Sequence, residues 1–147
     1  MEKHWVKNFD ELATTPNRKM ALEIMEAGLD AINTEKIVEF SVSVVGNILF
    51  IKGKPFNLVK YNKIKVIGFG KSSPEAALAL EKILGPRINE GVVIGLHKVE
   101  TKYIEIFTGT HPRPSEANIE ASKKIYEMIK DSNEEDLIIV LVSGGGS

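Results

Sequence analysis

Three apolar runs along the chain have the pattern of β-strands that are buried on both faces. They cover residues 64–69, 92–96 and 137–142, and Lys65 is the only charged residue within them. Near-continuous runs of this kind are typical of parallel strands covered by helices on both sides. A fourth run, 103–107, alternates between apolar and polar residues and is predicted to be a further strand.

The direction of the run at 103–107 is open at this stage. About six residues separate it from the run at 92–96, which is too few for a helical crossover between parallel neighbours. Either the later strand runs antiparallel, or the chain returns through an irregular connection.

Helix-start signals precede the segments that have helical spacing. Thr15, Ser73 and Ser115 each offer a capping hydroxyl, and proline follows the first two in the first helical position. These signals predict a helix just after each cap. A further helix is predicted from Glu35 to about Val45.

Strands that alternate with helices predict an α/β fold. We expect a three-layer, Rossmann-like domain with a mostly parallel sheet. Residues 1–45 would form a helical segment and residues 46–147 the core of strands and helices, which opens with a small hairpin over 48–51 and 56–59. In such sheets, ligands bind at the carboxyl ends of the strands.

Composition argues against several classes of function. The 147 residues carry a formal net charge of −1 and no cysteine, which argues against a nucleic-acid partner and excludes disulfides and thiolate chemistry. No apolar run approaches the roughly 18 residues of a membrane span, and no signal peptide is recognisable. We therefore expect a cytoplasmic protein without a membrane partner. The histidine spacing predicts no metal site.

A turn that contains a lysine follows the first buried run. Gly70, Lys71 and Ser72 are candidate anion-binding residues, because a helix N-terminus carries partial positive charge and Lys71 adds a full charge. We expect the backbone N–H groups of this turn to face the anion. The turn matches neither GxxxxGK nor GxGxxG, so a solvated lysine at an ordinary tight turn is an equally good interpretation.

A glycine-rich stretch follows the last buried run. Ser143, Gly144, Gly145, Gly146 and Ser147 are unfavourable to order, at roughly 0.5–1 kcal/mol per glycine relative to alanine. Such a stretch is reasonable where backbone N–H groups must approach a phosphate or a carboxylate closely. A flexible tail is the alternative, but the position directly after a predicted buried strand favours an anion site.

A proline-flanked loop supplies two further candidates. His111 and Arg113 alternate with Pro112 and Pro114, so a stiff backbone would hold both side chains at little entropic cost. Arg113 can fork onto a carboxylate or phosphate, and His111 can donate or carry a proton. A rigid turn before a helix is the simpler interpretation of either residue alone. The loop reaches the Lys71 turn only if the strand before it is parallel.

Three motifs in this order resemble the glycerate kinase family of the MOFRL type, whose members are glycerate 2-kinases, some of them labelled hydroxypyruvate reductases. The motifs are GFGKS at 68–72, GTHPRP at 109–114 and LVSGGGS at 141–147. The resemblance implies an enzyme that transfers the γ-phosphate of ATP to the 2-hydroxyl of D-glycerate with Mg²⁺, in a cleft between two domains. It also implies that Lys71 is the catalytic lysine and that the glycine stretch cradles a phosphate or a carboxylate.

The main departure from this family is length, because its members are much longer. By resemblance, residues 1–147 would be the N-terminal α/β domain of a two-domain kinase without the C-terminal domain and its arginine. We therefore expect no useful phosphorylation of glycerate by the isolated chain. The resemblance is also compatible with a homodimer.

Two other functions stay open. A phosphosugar-binding regulatory module of the sugar-isomerase type would share the α/β sheet and a serine- and glycine-rich phosphate loop. A nicotinamide-dependent hydroxypyruvate reductase is less favoured, because the GxGxxG fingerprint is missing, as is the acidic residue expected about twenty residues later.

Overall fold

Helices and strands alternate along most of the chain in the computed structural model, which describes residues 4–146. The helices are α1 (Phe9–Leu12), α2 (Pro16–Ala31), α3 (Thr34–Ser41), α4 (Ser73–Leu84) and α5 (Glu116–Lys130), with short 3₁₀ turns at Leu58–Lys60 and Gly85–Arg87. The strands are β1 (Val42–Val45), β2 (Ile48–Ile51), β3 (Lys54–Asn57), β4 (Lys63–Phe69), β5 (Glu90–Gly95), β6 (Glu105–Thr108) and β7 (Asp136–Val142). This arrangement confirms the predicted α/β fold class.

The main sheet is parallel throughout, in the order β6-β5-β4-β7. Its register places Phe69 beside Ile94 on one side and beside Val142 on the other. The carboxyl ends of β4, β5 and β7 therefore lie at the same edge. Strand β6 is also parallel to β5, which decides the direction that the sequence left open.

Helices cover both faces of this sheet and make three layers. Successive side chains of a strand point to opposite faces. Val66 packs in the main core with Leu80 of α4, whereas the ammonium group of Lys65 donates to the main-chain oxygen of Met128 in α5. Helix α4 therefore covers one face and α5 covers the other.

An irregular connection, residues 96–104, joins β5 to its parallel neighbour β6 without a helix. The Glu81 carboxylate of α4 accepts backbone N–H groups from Lys102, Tyr103 and Ile104, at 2.7, 2.8 and 3.1 Å. Ile104 is buried, and a Cβ at Gly91 would lie 2.9 Å from its side chain. Because one carboxylate accepts three consecutive backbone N–H groups, this connection can join two parallel strands without a crossover helix.

The small antiparallel sheet differs from the sequence prediction. Helix α3 ends at Ser41, and Val42–Val45 forms β1, so the prediction of a helix up to Val45 is wrong. The β-branched residues of this stretch favour a strand, and β1 pairs with β2 to give a three-stranded meander β1-β2-β3 instead of a two-stranded hairpin.

The helices begin near the predicted positions but use some caps differently. Thr15 accepts the N–H of Arg18, as a capping residue does, and Ser115 takes part in a capping box with Asn118. Ser73 does not cap α4, because its hydroxyl donates back to the Phe69 oxygen at 2.6 Å. Among residues 4–146, none of the helices is long and apolar enough to cross a membrane.

Candidate functional site

The ladder between β4 and β7 continues beyond the strands into the Lys71 turn and the glycine stretch. Ser143 N–H donates to the Phe69 oxygen at 3.1 Å, and Lys71 N–H donates to the Gly144 oxygen at 2.9 Å. These two hydrogen bonds bring two segments that lie far apart in the sequence into direct contact. A Cβ at Gly145 would be 2.9 Å from Cε of Lys71.

The close approach of the two loops requires glycine at position 70. Gly70 has a φ of +117°, and a Cβ there would lie 2.4 Å from both the main-chain oxygen and Oγ of Ser143. An L side chain would be strained by the backbone angle and would also push the loops apart. Gly70 therefore shapes the site by letting Ser143 approach.

The backbone N–H groups of the Lys71 turn are already bonded within the protein. The N–H of Lys71 goes to Gly144, that of Ser72 goes to Oγ of Ser143 at 3.0 Å, and that of Ser73 goes to the Gly70 oxygen at 3.3 Å. The sequence predicted that these donors would face an anion. The structure corrects this, because the start of the glycine stretch occupies their place at the N-terminus of α4.

The glycine stretch itself offers the free donors. Within residues 4–146, the N–H groups of Gly144 and Gly145 make no hydrogen bond, whereas residues 143–146 form a turn in which the Gly146 N–H faces the Ser143 oxygen. All three glycines are exposed, and Gly145 has a φ of +80°. Free N–H groups beside a lysine side chain are an arrangement that suits a phosphate or a carboxylate. Ser147 lies outside the described residues.

The loop that carries His111 is held by Asn118, a residue that the sequence reasoning missed. The Asn118 side-chain oxygen accepts the N–H groups of Thr110 and Ser115, at 2.9 and 3.0 Å, and its amide donates to the Thr110 oxygen at 3.2 Å. Asn118 thus ties both ends of the loop, within which the His111–Pro112 bond is cis. Its position three residues after the capping Ser115 was the available signal.

These segments surround one cavity of about 620 Å³ at the carboxyl edge of the sheet. Among the candidates from the sequence, Gly70, Lys71, His111, Gly145 and Gly146 line it. Arg113, Ser72, Ser143 and Gly144 are not part of its wall. The remaining lining residues are mostly apolar or small, and they are Phe69, Ile94, Gly95, Leu96, Gly109, Thr110, Pro112, Pro114, Asn118, Ser122 and Ile125.

Comparison with known proteins bears on what this edge of the sheet does. Residues 20–147 match the family model described as "Domain of unknown function (DUF4147)". The chain belongs to the DUF4147 family. A relative from Pyrococcus horikoshii named "Glycerate 2-kinase" is 31% identical over 133 residues, which are 88% of this chain and 29% of that protein.

Two further similarities complete the comparison. A protein of Agrobacterium vitis named "Putative hydroxypyruvate reductase" is 38% identical over 84 residues, which are 56% of this chain and 22% of that protein. A crystal structure of a P. horikoshii protein superposes with a TM-score of 0.77 at 29% identity, over 91% of this chain and 30% of that one. The family resemblance is thereby confirmed, and this DUF4147 chain spans less than a third of the length of these relatives.

Proposed function

We propose that this chain is the N-terminal α/β part of a glycerate 2-kinase, which transfers the γ-phosphate of ATP to D-glycerate and yields 2-phosphoglycerate. The observation that carries the proposal is the contact of Lys71 with Gly145 beside the free backbone N–H groups of Gly144 and Gly145. The name of the P. horikoshii relative supports the same reaction.

Phosphoryl transfer depends on groups that stabilise negative charge at fixed positions. In our proposal, the Lys71 ammonium and the N–H groups of Gly144 and Gly145 hold an anionic group, either a phosphate of ATP or the carboxylate of glycerate. His111 lines the same cavity and can donate a hydrogen bond to the bound substrate. Arg113 is exposed outside the cavity wall and would serve a substrate only at its rim.

The residues described here do not fit a Mg²⁺ site of their own. The wall of the cavity contains no carboxylate, and residues 4–146 hold no group of three acidic or histidine side chains that could bind a metal. Mg²⁺ prefers carboxylate and phosphate oxygens. We therefore assign no step of the reaction to a metal held by this chain.

We propose that the isolated chain does not turn over glycerate, because it spans only 29% of the P. horikoshii glycerate 2-kinase. By the family resemblance, the cleft would lie between two domains, and a second domain would supply one wall and its arginine. Steady ADP formation from ATP and D-glycerate by residues 1–147, measured in a coupled assay, would contradict this point.

The binding function can be tested on the chain itself. Isothermal titration with ATP, D-glycerate and inorganic phosphate should detect binding that Lys71→Met weakens by about tenfold or more, since a charge-assisted contact is lost. Lys63→Met is the matched control. Lys63 is also an exposed lysine, but it lies at the start of β4, whereas Lys71 follows the end of that strand. Equal affinity of both variants would refute the role of Lys71.

The alternatives are separated by ligand preference. Thermal shifts with sugar phosphates that exceed those with ATP and D-glycerate would favour a phosphosugar-binding module. The name of the A. vitis relative favours testing a reductase, and NADH oxidation with hydroxypyruvate would support it. Against it, the N-terminus of α4, where a dinucleotide pyrophosphate would bind, is filled by Ser143 and Gly144.

A further inference from the structure

Two serine hydroxyls link the ends of β4 and β7 below the candidate site. Oγ of Ser143 lies 3.1 Å from Oγ of Ser73 and 3.0 Å from the nitrogen of Ser72. Oγ of Ser73 lies 2.6 Å from the Phe69 oxygen but 3.4 Å from the Leu141 oxygen. Ser73 is fully buried, so its hydrogen bonds are made within the protein.

The distances define the direction of each hydrogen bond. A hydroxyl has one proton to donate. The Ser73 proton goes to the Phe69 oxygen, which is the shorter contact. The Ser143 hydroxyl must then donate to Ser73, and it accepts the N–H of Ser72 on its other side. The three bonds form one directional chain, in which each bond polarises the next.

This chain of hydrogen bonds fixes the backbone of Ser72, the residue that follows Lys71. The Ser72 N–H is bound by the Ser143 side chain, and the Lys71 N–H is bound by the Gly144 main chain, so both peptide groups that flank the lysine are attached to the glycine stretch. The Ser143 hydroxyl has no donor left for a ligand, and Ser143 does not line the cavity. Ser143 therefore acts on the site through neighbouring residues and not by direct contact with a ligand.

We propose that Ser143 is a positioning residue, whose hydroxyl sets the angle at which Lys71 leaves the turn and meets the free N–H groups of Gly144 and Gly145. This role rests on the proposed function only in that the positioned lysine serves an anion. The sequence had suggested Ser143 as a ligand-binding residue, and the proposal replaces direct contact with an action through Ser72 and Lys71.

The test compares Ser143→Ala with Asn89→Ala and Ser143→Thr. The Asn89 side-chain oxygen accepts the Ile64 N–H at 2.7 Å at the other end of β4, so Asn89→Ala deletes a comparable side-chain acceptor of a backbone N–H far from the site. Inorganic phosphate is the probe, titrated calorimetrically into folded protein. Ser143→Ala should bind phosphate about tenfold more weakly, Asn89→Ala should bind it like the parent chain, and the hydroxyl of Ser143→Thr should restore binding.

Amide hydrogen exchange of Lys71 and Ser72, followed by NMR, is read on the same samples. Faster exchange in Ser143→Ala, with the parent rate in Asn89→Ala, supports positioning. Parent-like phosphate affinity in Ser143→Ala would overturn it while leaving the proposed function intact. If the parent chain binds no phosphate, the proposed function fails, and unchanged exchange in Ser143→Ala would then overturn the positioning role independently. Should Ser143→Ala not fold, Ser143→Thr with weakened binding would overturn it.

Discussion

The side chain of Lys71 lies against Gly145, which is 74 positions later in the sequence, so closely that a Cβ at Gly145 would be 2.9 Å from Cε of the lysine. Gly145 also has a φ of +80°. Both properties require glycine. The close approach to Lys71 also couples position 145 to the positive charge of the site.

Gly145→Ala should therefore weaken anion binding and the fold by similar amounts. The new methyl group displaces the flexible Lys71 side chain, and we expect phosphate affinity to fall by about tenfold. The left-handed backbone adds roughly 1–2 kcal/mol of destabilisation. Calorimetric titration and chemical denaturation measure the two effects.

Gly144→Ala is the matched control for this experiment. A Cβ at Gly144 meets no atom within 4 Å, and its backbone lies outside the left-handed region. It should bind phosphate like the parent chain. Equal loss of affinity in both variants would show that the stretch needs flexibility and not a specific contact with Lys71.

Gly70→Ala should destabilise the whole carboxyl edge of the sheet. The methyl group would clash with backbone of Ser143 at 2.4 Å, and backbone cannot move away as a side-chain end can. We expect a loss of about 3 kcal/mol or more in the free energy of unfolding. Gly46→Ala, with a φ of +59° and open space around its Cβ, should cost only about 1–2 kcal/mol. Similar urea midpoints for the two variants would count against the clash.

Lys65 should contribute to stability and not to ligand binding. It is 3% exposed, and its ammonium group donates to the Met128 oxygen and to Oγ of Ser132, at 2.8 and 3.0 Å, and lies 3.3 Å from the Glu90 carboxylate. Lys65→Met keeps most of the volume but leaves these partners without a donor, at a cost of about 1–3 kcal/mol.

The exposed Lys63 on the same strand provides the comparison for Lys65. Lys63→Met should change the free energy of unfolding by less than about 0.5 kcal/mol. Denaturation curves of both variants measure the difference, and phosphate affinity should be the same in both. An unchanged midpoint for Lys65→Met would show that the buried ammonium group adds no net stability.

Acid should break the hydrogen bonds by which His4, Trp5 and Val6 hold the N-terminal segment against α2. The Lys36 ammonium group and the Trp5 indole hydrogen-bond Asp30 and lower its carboxyl pKa below 3.8. Burial opposes a similar shift at Glu26, but hydrogen bonds from His4 and Val6 lower its pKa below 4.5. A depressed carboxyl pKa stabilises the folded state above the unfolded pKa, and this stabilisation is lost as the pH falls through the folded value.

Trp5 is the single tryptophan, so its fluorescence reports this docking directly. We expect a red shift of its emission only below about pH 4, where both carboxylates take up protons. Asp30→Asn should weaken the docking already at neutral pH. A transition near pH 6 in the parent chain would point to histidine and contradict this assignment.

The three buried runs and their order along the chain could be predicted from sequence, because parallel strands covered on both faces leave an uninterrupted apolar pattern. The Lys71 turn and the glycine stretch could be placed at one edge for the same reason, since both directly follow such strands. The end of the helix at Ser41 could not, because the four residues of Val42–Val45 are too few to show a period. Their valines favour a strand only weakly, and pairing with β2 makes the strand.

The amino-acid sequence alone therefore determined the fold class, the family and the segments from which the site is built, because local periodicity and glycine chemistry act within a few neighbouring residues. Tertiary structure decided how the site is made. Contacts with Glu81 fix the direction of β6, and Ser143 and Gly144 accept the N–H groups of Lys71 and Ser72. In the described part of the chain, the N–H groups of Gly144 and Gly145 stay free. Hydrogen-bond partners that lie some 70 residues apart have no local signature, so only the folded chain assigns them.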